Sequence, residues 1–386
     1  MAEGGTSNMA NFIDYIRWRG DLSFKKVPFN EVDNLIFSQL VYMKFDKIIT
    51  PEKYTEYFTV ADVAAKLLNS TTEDDKISEN VTSDTPNDRL FLKELIGSKR
   101  FGKTKISRYI NKVDIAKAEQ FAAATFFTDD GCAFVCYRGT DTSIVGWQEN
   151  FNLSFMAHVP AQLAAVNYLQ EIAGAFPFPL RVGGHSKGGN LAVYAAAFCG
   201  KEIQDEILDV YNDDGPGFNK KVVSEESYSA IIGKVHTFVP QSSIVGMLLE
   251  HEEPYIVIHS SETGIMQHNP YSWDVMGPEF VKLNGTDEGS KIIDKTLHEW
   301  IGSMNDDQLK AFVDNLFGLL NSSGVHTTEE FDAKKLPAIK KVIQTMSHMD
   351  EQDKKMMSKT IQVLFKIGSA NFFGRKETPK LITKKA

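Results

Sequence analysis

Apolar residues early in the chain recur at helical spacing. Residues 30–45, NEVDNLIFSQLVYMKF, place Asn30 as a cap before acids in the first turn and an apolar face, which predicts a helix. Residues 50–68, TPEKYTEYFTVADVAAKLL, predict another, with Thr50 as cap and Pro51 at the first helical position. Residues 70–88 are polar and loop-like, and a further helix follows from Leu90. The pattern then changes. QFAAATFFTDDGCAFVCYRG, residues 120–139, is two apolar runs around Asp129-Asp130-Gly131, a β-hairpin signal. After it, strand-like PLRVGG, ILDVYN, KVHTFV and YIVIHS alternate with helix-like SKGGNLAVYAAAFCG and SEESYSAIIG. Such alternation implies an α/β fold, a mostly parallel sheet flanked by helices. From about residue 290 only helical patterns remain, over 305–324, 327–349 and 353–368.

This organises the 386 residues into four expected parts. A flexible leader covers 1–8, a helical N-terminal extension 9–115, an α/β core 116–290, and a helical C-terminal segment 291–386. Charge adds an asymmetry to that picture. The formal net charge is −9, yet residues 354–386 carry nine Lys/Arg against the single acid Glu377. An acidic body argues against nucleic acid as partner. The basic tail has two readings: peripheral contact with an anionic membrane through a helix bearing Met357, Ile361, Leu364 and Phe365, or packing of that stripe on the preceding helices. Three cysteines are too few for a disulfide framework, and no apolar run reaches the ~18 residues of a membrane span. With no signal-peptide pattern, the expected location is cytoplasmic. No Cys/His spacing suggests a metal, and no cofactor is implied.

One stretch carries chemistry. RVGGHSKGGN, residues 181–190, spaces Gly184, Ser186 and Gly188 as G-x-S-x-G between a strand-like run and a helix-like one. Strand, tight turn and helix is the context of a nucleophile elbow, with the serine on the turn. Small residues at Gly188, Gly189, Ala192 and Ala195 let the helix lie close to the strand. The helix N-terminus favours developing negative charge near Ser186. An oxyanion hole would draw one N–H from Lys187 and one from Thr140, in the Arg138-Gly139-Thr140 loop after the hairpin. The base should follow the serine. His268, in a loop after the last strand, is preferred; His259, ending that strand, is the alternative. His158 precedes the serine, His185 adjoins it but points elsewhere, and His236 is expected to pack within a strand.

VCYRGTDTSIVGWQENF resembles the strand-R-G-T-loop-W segment of class 3 lipases, and GGHSKGGNLA resembles their elbow. Together with FNEVDNLIFSQLVY, YNDDGPGF, VPQSSIVGMLL and QHNPYSW, they resemble, over roughly residues 26–325, an uncharacterised bacterial family of class 3 lipase-like proteins. The resemblance implies an α/β-hydrolase fold and a serine hydrolase acting on a carboxylic ester, a lipid or other small acyl ester, through an acyl-enzyme on Ser186. It also raises a difficulty. Class 3 lipases usually carry the triad aspartate after the strand matching KVHTFV, where this chain has Gln241, Ser242 and Ser243. The acid expected instead is Asp214, with Asp213 as alternative, one strand earlier in VYNDDGPGF. These aspartates could equally shape a turn, and Ser243 or a backbone carbonyl could orient His268. Without a triad acid, the rival reading is a non-catalytic ligand-binding or membrane-peripheral protein that keeps the hydrolase fold.

Overall fold

The computed structural model describes residues 9–322 apart from 47, 50–56, 70–76, 79–84, 142, 288–289 and 291–303. The expected leader, the Thr50 cap with Pro51, the helices over 327–349 and 353–368 and the basic tail all lie outside the described residues.

The chain opens with α1 (Phe12–Arg19) and α2 (Glu31–Leu40). Both begin with capping boxes, on Asn11 and Asn30, so the local sequence alone sets where they start. The helix expected over 50–68 is broken within its described part. β1 (Phe58–Thr59) pairs antiparallel with the first residues of β2 (Lys105–Asp114), and only then does α3 (Val60–Leu68) begin, capped by Thr59. Strand pairing with a distant segment outweighs helical spacing there. α4 (Thr85–Gly97) precedes β2.

The hairpin is β3 (Glu119–Phe127) and β4 (Ala133–Tyr137). α5 (Ile144–Asn152) and α6 (Pro160–Ala175) follow, then β5 (Leu180–His185), α7 (Lys187–Phe198), α8 (Lys201–Glu206) and β6 (Ile207–Asp213). SEESYSAIIG yields two short turns rather than one helix. After α9 (Lys220–Val223) come α10 (Glu226–Ser229) and a 3₁₀ turn at Ile232–Lys234. β7 (Val235–Pro240) and β8 (Tyr255–Ile258) complete the central strands. Beyond them lie the small ribbon β9 (Val275–Met276) and β10 (Glu279–Phe280), then β11 (Lys282–Leu283) and α11 (Asp306–Ser322).

The main sheet runs β1-β2-β3-β4-β5-β6-β7-β8-β11. It is parallel from β4 to β8 and antiparallel at both margins, so it is mixed rather than parallel throughout. Alternation along β4 divides its two faces. Phe134 and Cys136 face a core built with α1–α4, whereas Ala133, Val135 and Tyr137 face one built with α6 and α7. In the first core Phe37 of α2 packs at a tilt against Phe126 and Phe134, ring centroids 4.7 and 5.5 Å away. The early helices are therefore one outer layer of an α/β/α sandwich, packed on the face of the sheet that holds Phe134 and Cys136. No helix among the described residues is long and apolar enough to cross a membrane.

Candidate active site

Between β5 and α7 the chain turns on one residue. Ser186 has φ 58° and ψ −135°, a conformation that costs a residue with a Cβ about 1–3 kcal/mol. Its surroundings hold it there. The Ser186 N–H donates to the Asp213 carbonyl at 2.8 Å, and the Ser186 carbonyl accepts from Gly189 N–H at 2.9 Å. The turn closes only because its neighbours lack side chains. A Cβ on Gly188 would stand 2.2 Å from the Tyr137 carbonyl oxygen. Ser186 is 8% exposed, at the carboxyl end of the central strands where α/β sheets bind ligands.

The loop leaving β4 presses against this turn. A Cβ on Gly139 would lie 2.6 Å from the His185 carbonyl and 2.9 Å from Ser186 Cβ. Thr140 is buried, its hydroxyl donating to Asn150 Oδ1 at 3.0 Å, which leaves the backbone of this loop beside the serine. Lys187, the first residue of α7, sends its side chain the other way. Its ammonium is buried against Glu149 Oε2 (2.8 Å), the Gln120 carbonyl (2.7 Å) and Gln120 Oε1 (2.7 Å). Glu149 also accepts from the Gln120 and Ala161 N–H groups, so one ion pair ties β3, α5, α6 and the elbow together.

His268 sits in a 3₁₀ turn, Gly264–His268, after β8. Its Nδ1 lies 2.6 Å from Asp214 Oδ2, its side chain is 14% exposed, and its ring centroid is 4.5 Å from that of His185, the residue before Ser186. Asp214 directly follows β6 with φ 51°. Its other oxygen, Oδ1, accepts from the Ser243 hydroxyl at 2.5 Å and from Gly246 N–H at 3.2 Å. The loop after β7, where a class 3 lipase would carry the acid, therefore supports an acid that comes from β6. The same loop holds the histidine turn, since Ser242 N–H donates to Gln267 Oε1 at 2.7 Å.

The alternatives point elsewhere. Asp213 faces the layer of α2, where Asn34 Nδ2 reaches its two oxygens at 2.8 and 2.7 Å. Burial pushes its pKa up to about 8. His259 pairs with the Asp274 carboxylate. His158 bonds Tyr194. His236, expected to pack, has a side chain 41% exposed beside Asp209 and stacks on Tyr211. His185 is buried, with Nε2 2.8 Å from the His268 carbonyl and Nδ1 3.2 Å from Tyr42 Oη, and burial holds its pKa well below the usual range. Asn34, Tyr42, Gln120 and Glu149 were not singled out from the sequence. Their only signal there is a polar side chain within an apolar-patterned element.

The fold and this constellation define a lipase-like α/β-hydrolase. The chain belongs to the Mbeg1-like family, whose model matches residues 95–318. No curated protein sequence matches it. Among solved structures, lipase II from Rhizopus niveus is 18% identical over 40% of this chain and 67% of its own, with a TM-score of 0.31. A Rhizomucor miehei lipase–propeptide complex is 13% identical over 72% of this chain and 95% of its own, with a TM-score of 0.35. A fungal lipase–inhibitor complex is 14% identical over 42% and 68%, with a TM-score of 0.32. These overlays are partial; the fold assignment stands on the strand order and elbow of this chain and on its family.

Proposed function

We propose that the protein is a serine esterase of lipase-like type, hydrolysing a carboxylic ester of a lipid or other small acyl compound through an acyl-enzyme on Ser186. The observation that carries this reading is the 2.6 Å contact between His268 Nδ1 and Asp214 beside a strained serine elbow. Asp214 accepts a hydrogen bond from Nδ1–H, which leaves the bare Nε2 as the base. Nε2 removes the Ser186 hydroxyl proton as Oγ attacks the ester carbonyl. The carbonyl oxygen becomes an oxyanion held by the Lys187 and Thr140 N–H groups. The tetrahedral intermediate expels the alcohol, which takes the proton from His268. Water, deprotonated by the same nitrogen, then attacks the acyl-enzyme and frees the acid and Ser186.

Fluorophosphonate labelling tests this. Wild-type protein should label at Ser186 and hydrolyse p-nitrophenyl butyrate. Ser186→Ala should do neither, while melting at or above the parent temperature because the strained residue loses no packing partner. A Ser186→Ala protein that labels as well as wild type removes Ser186 from the mechanism. Wild type that neither labels nor hydrolyses points to a ligand-binding protein on a hydrolase fold.

A further inference from the structure

We propose that Tyr42 and His185 are positioning residues: Tyr42 locks His185 in its Nε2–H tautomer, and that N–H holds the backbone of His268 in place against the elbow. The inference rests on the catalytic reading of Ser186 and His268 and concerns what stands behind them.

Hydrogen-bond directions argue it. His185 Nε2 is 2.8 Å from the His268 carbonyl oxygen, which can only accept, so Nε2 carries the proton. A neutral imidazole has one N–H, so Nδ1 is a bare acceptor. Tyr42 Oη, 3.2 Å from Nδ1 and 3.4 Å from the His185 carbonyl, gives its one O–H to the nearer acceptor, the ring nitrogen. Tyr42 and His185 are each 1% exposed, which shuts out bulk water as a substitute. The relay runs Tyr42 O–H to His185, His185 N–H to the His268 carbonyl, and His268 N–H to Asp214, with Ser243 O–H meeting Asp214 from the other side.

A further contact places Tyr42 at this junction. A Cβ on Gly139 would stand 2.2 Å from its phenol oxygen. Tyr42 thus touches the loop that leads to Thr140 as well as the residue before Ser186. It is delivered rigidly, just after α2, whose Asp33 makes a buried ion pair with Arg100 and whose Asn34 bonds Asp213. Tyr42 lies before the family-matched stretch that starts at 95. The early helical layer is therefore part of the site.

The other tautomer would put a bare Nε2 lone pair against the His268 carbonyl. The repulsion would shift the turn that carries the base, and small misplacements of a reacting group are costly in rate. His185→Gln offers a control, because its amide can donate to the same carbonyl and cannot tautomerise. Tyr42→Phe should lower kcat for p-nitrophenyl butyrate about tenfold with KM within about twofold. In a His185→Gln background the same change should cost less than about twofold. ¹⁵N NMR should find His185 as the Nε2–H tautomer in wild type and a mixture in Tyr42→Phe. An unchanged tautomer in Tyr42→Phe, or an equal loss of kcat in both backgrounds, overturns the proposal. If wild type neither labels with fluorophosphonate nor hydrolyses the ester, the esterase reading fails by itself, and the tautomer measurement alone decides the role of Tyr42.

Discussion

At Asp214 a single backbone angle separates two adjacent carboxylates. Asp213, inside β6, follows the strand's alternation and faces Asn34. Asp214, with φ 51°, leaves the strand and meets His268. Asn tolerates positive φ, so Asp214→Asn changes the acceptor and spares the turn. It would offer Nδ1 a donor or a weak acceptor and favour the wrong imidazole tautomer. We expect kcat to fall roughly 10³–10⁴-fold with a small change in KM, measured on a p-nitrophenyl ester. A loss below tenfold would take Asp214 out of the triad. Ser243→Ala removes one donor to Asp214 Oδ1 while Gly246 N–H remains, so the expected loss is smaller, about tenfold.

Among the elements, α7 is pinned to its neighbours by charge at its first residue. Lys187 and Glu149 are both buried, and each has its remaining polar atoms met by backbone or amide groups. Removing one member strands the other in an apolar interior. Glu149→Leu should therefore cost about 3–5 kcal/mol in urea unfolding, whereas the Lys187→Met, Glu149→Leu double variant should recover much of that loss. Equal losses in the single and double variants would show that α5 packing, not charge, sets the cost. The double variant also tests whether the elbow needs the ion pair: if Ser186 still labels at the parent rate, the turn is held by its backbone bonds alone.

For the whole molecule, the layer of α1–α4 is coupled to the sheet through a buried acid. Asp213 faces Asn34 and Ser38 from α2, with Glu31 and Asp214 raising its pKa further beyond the main effect of burial. Its folded pKa, about 8, lies above the ordinary carboxyl value, so the native state binds this proton more tightly than the unfolded chain. The stability it contributes is complete below the unfolded value of about 3.9 and is lost as pH rises through about 8. Asp213→Asn keeps the shape of the neutral carboxyl and cannot ionise. Urea unfolding from pH 4 to 9 should show the variant gaining on wild type as pH rises. A difference that stays flat across that range would mean that Asp213 is ionised in the native state, with Asn34 meeting its charge.

What the sequence determined by itself was local. The elbow was legible because its demands fall within a few residues: a strand, glycines where side chains would collide, and small residues opening the helix. The caps of α2, the hairpin turn at Gly131 and the strand–helix alternation were legible for the same reason. The tertiary structure decided what depends on segments far apart in the chain. β1 took residues that read as helix because a partner strand at Lys105 was available. β2 was hidden because its second half is half-buried or exposed and shows no apolar alternation. Which aspartate meets His268, why Ser243 stands where an acid was expected, and how Tyr42 comes to lie behind His185 depend on hydrogen bonds between distant residues. Such bonds are set by distance and direction in the folded chain, and spacing along the sequence carries neither.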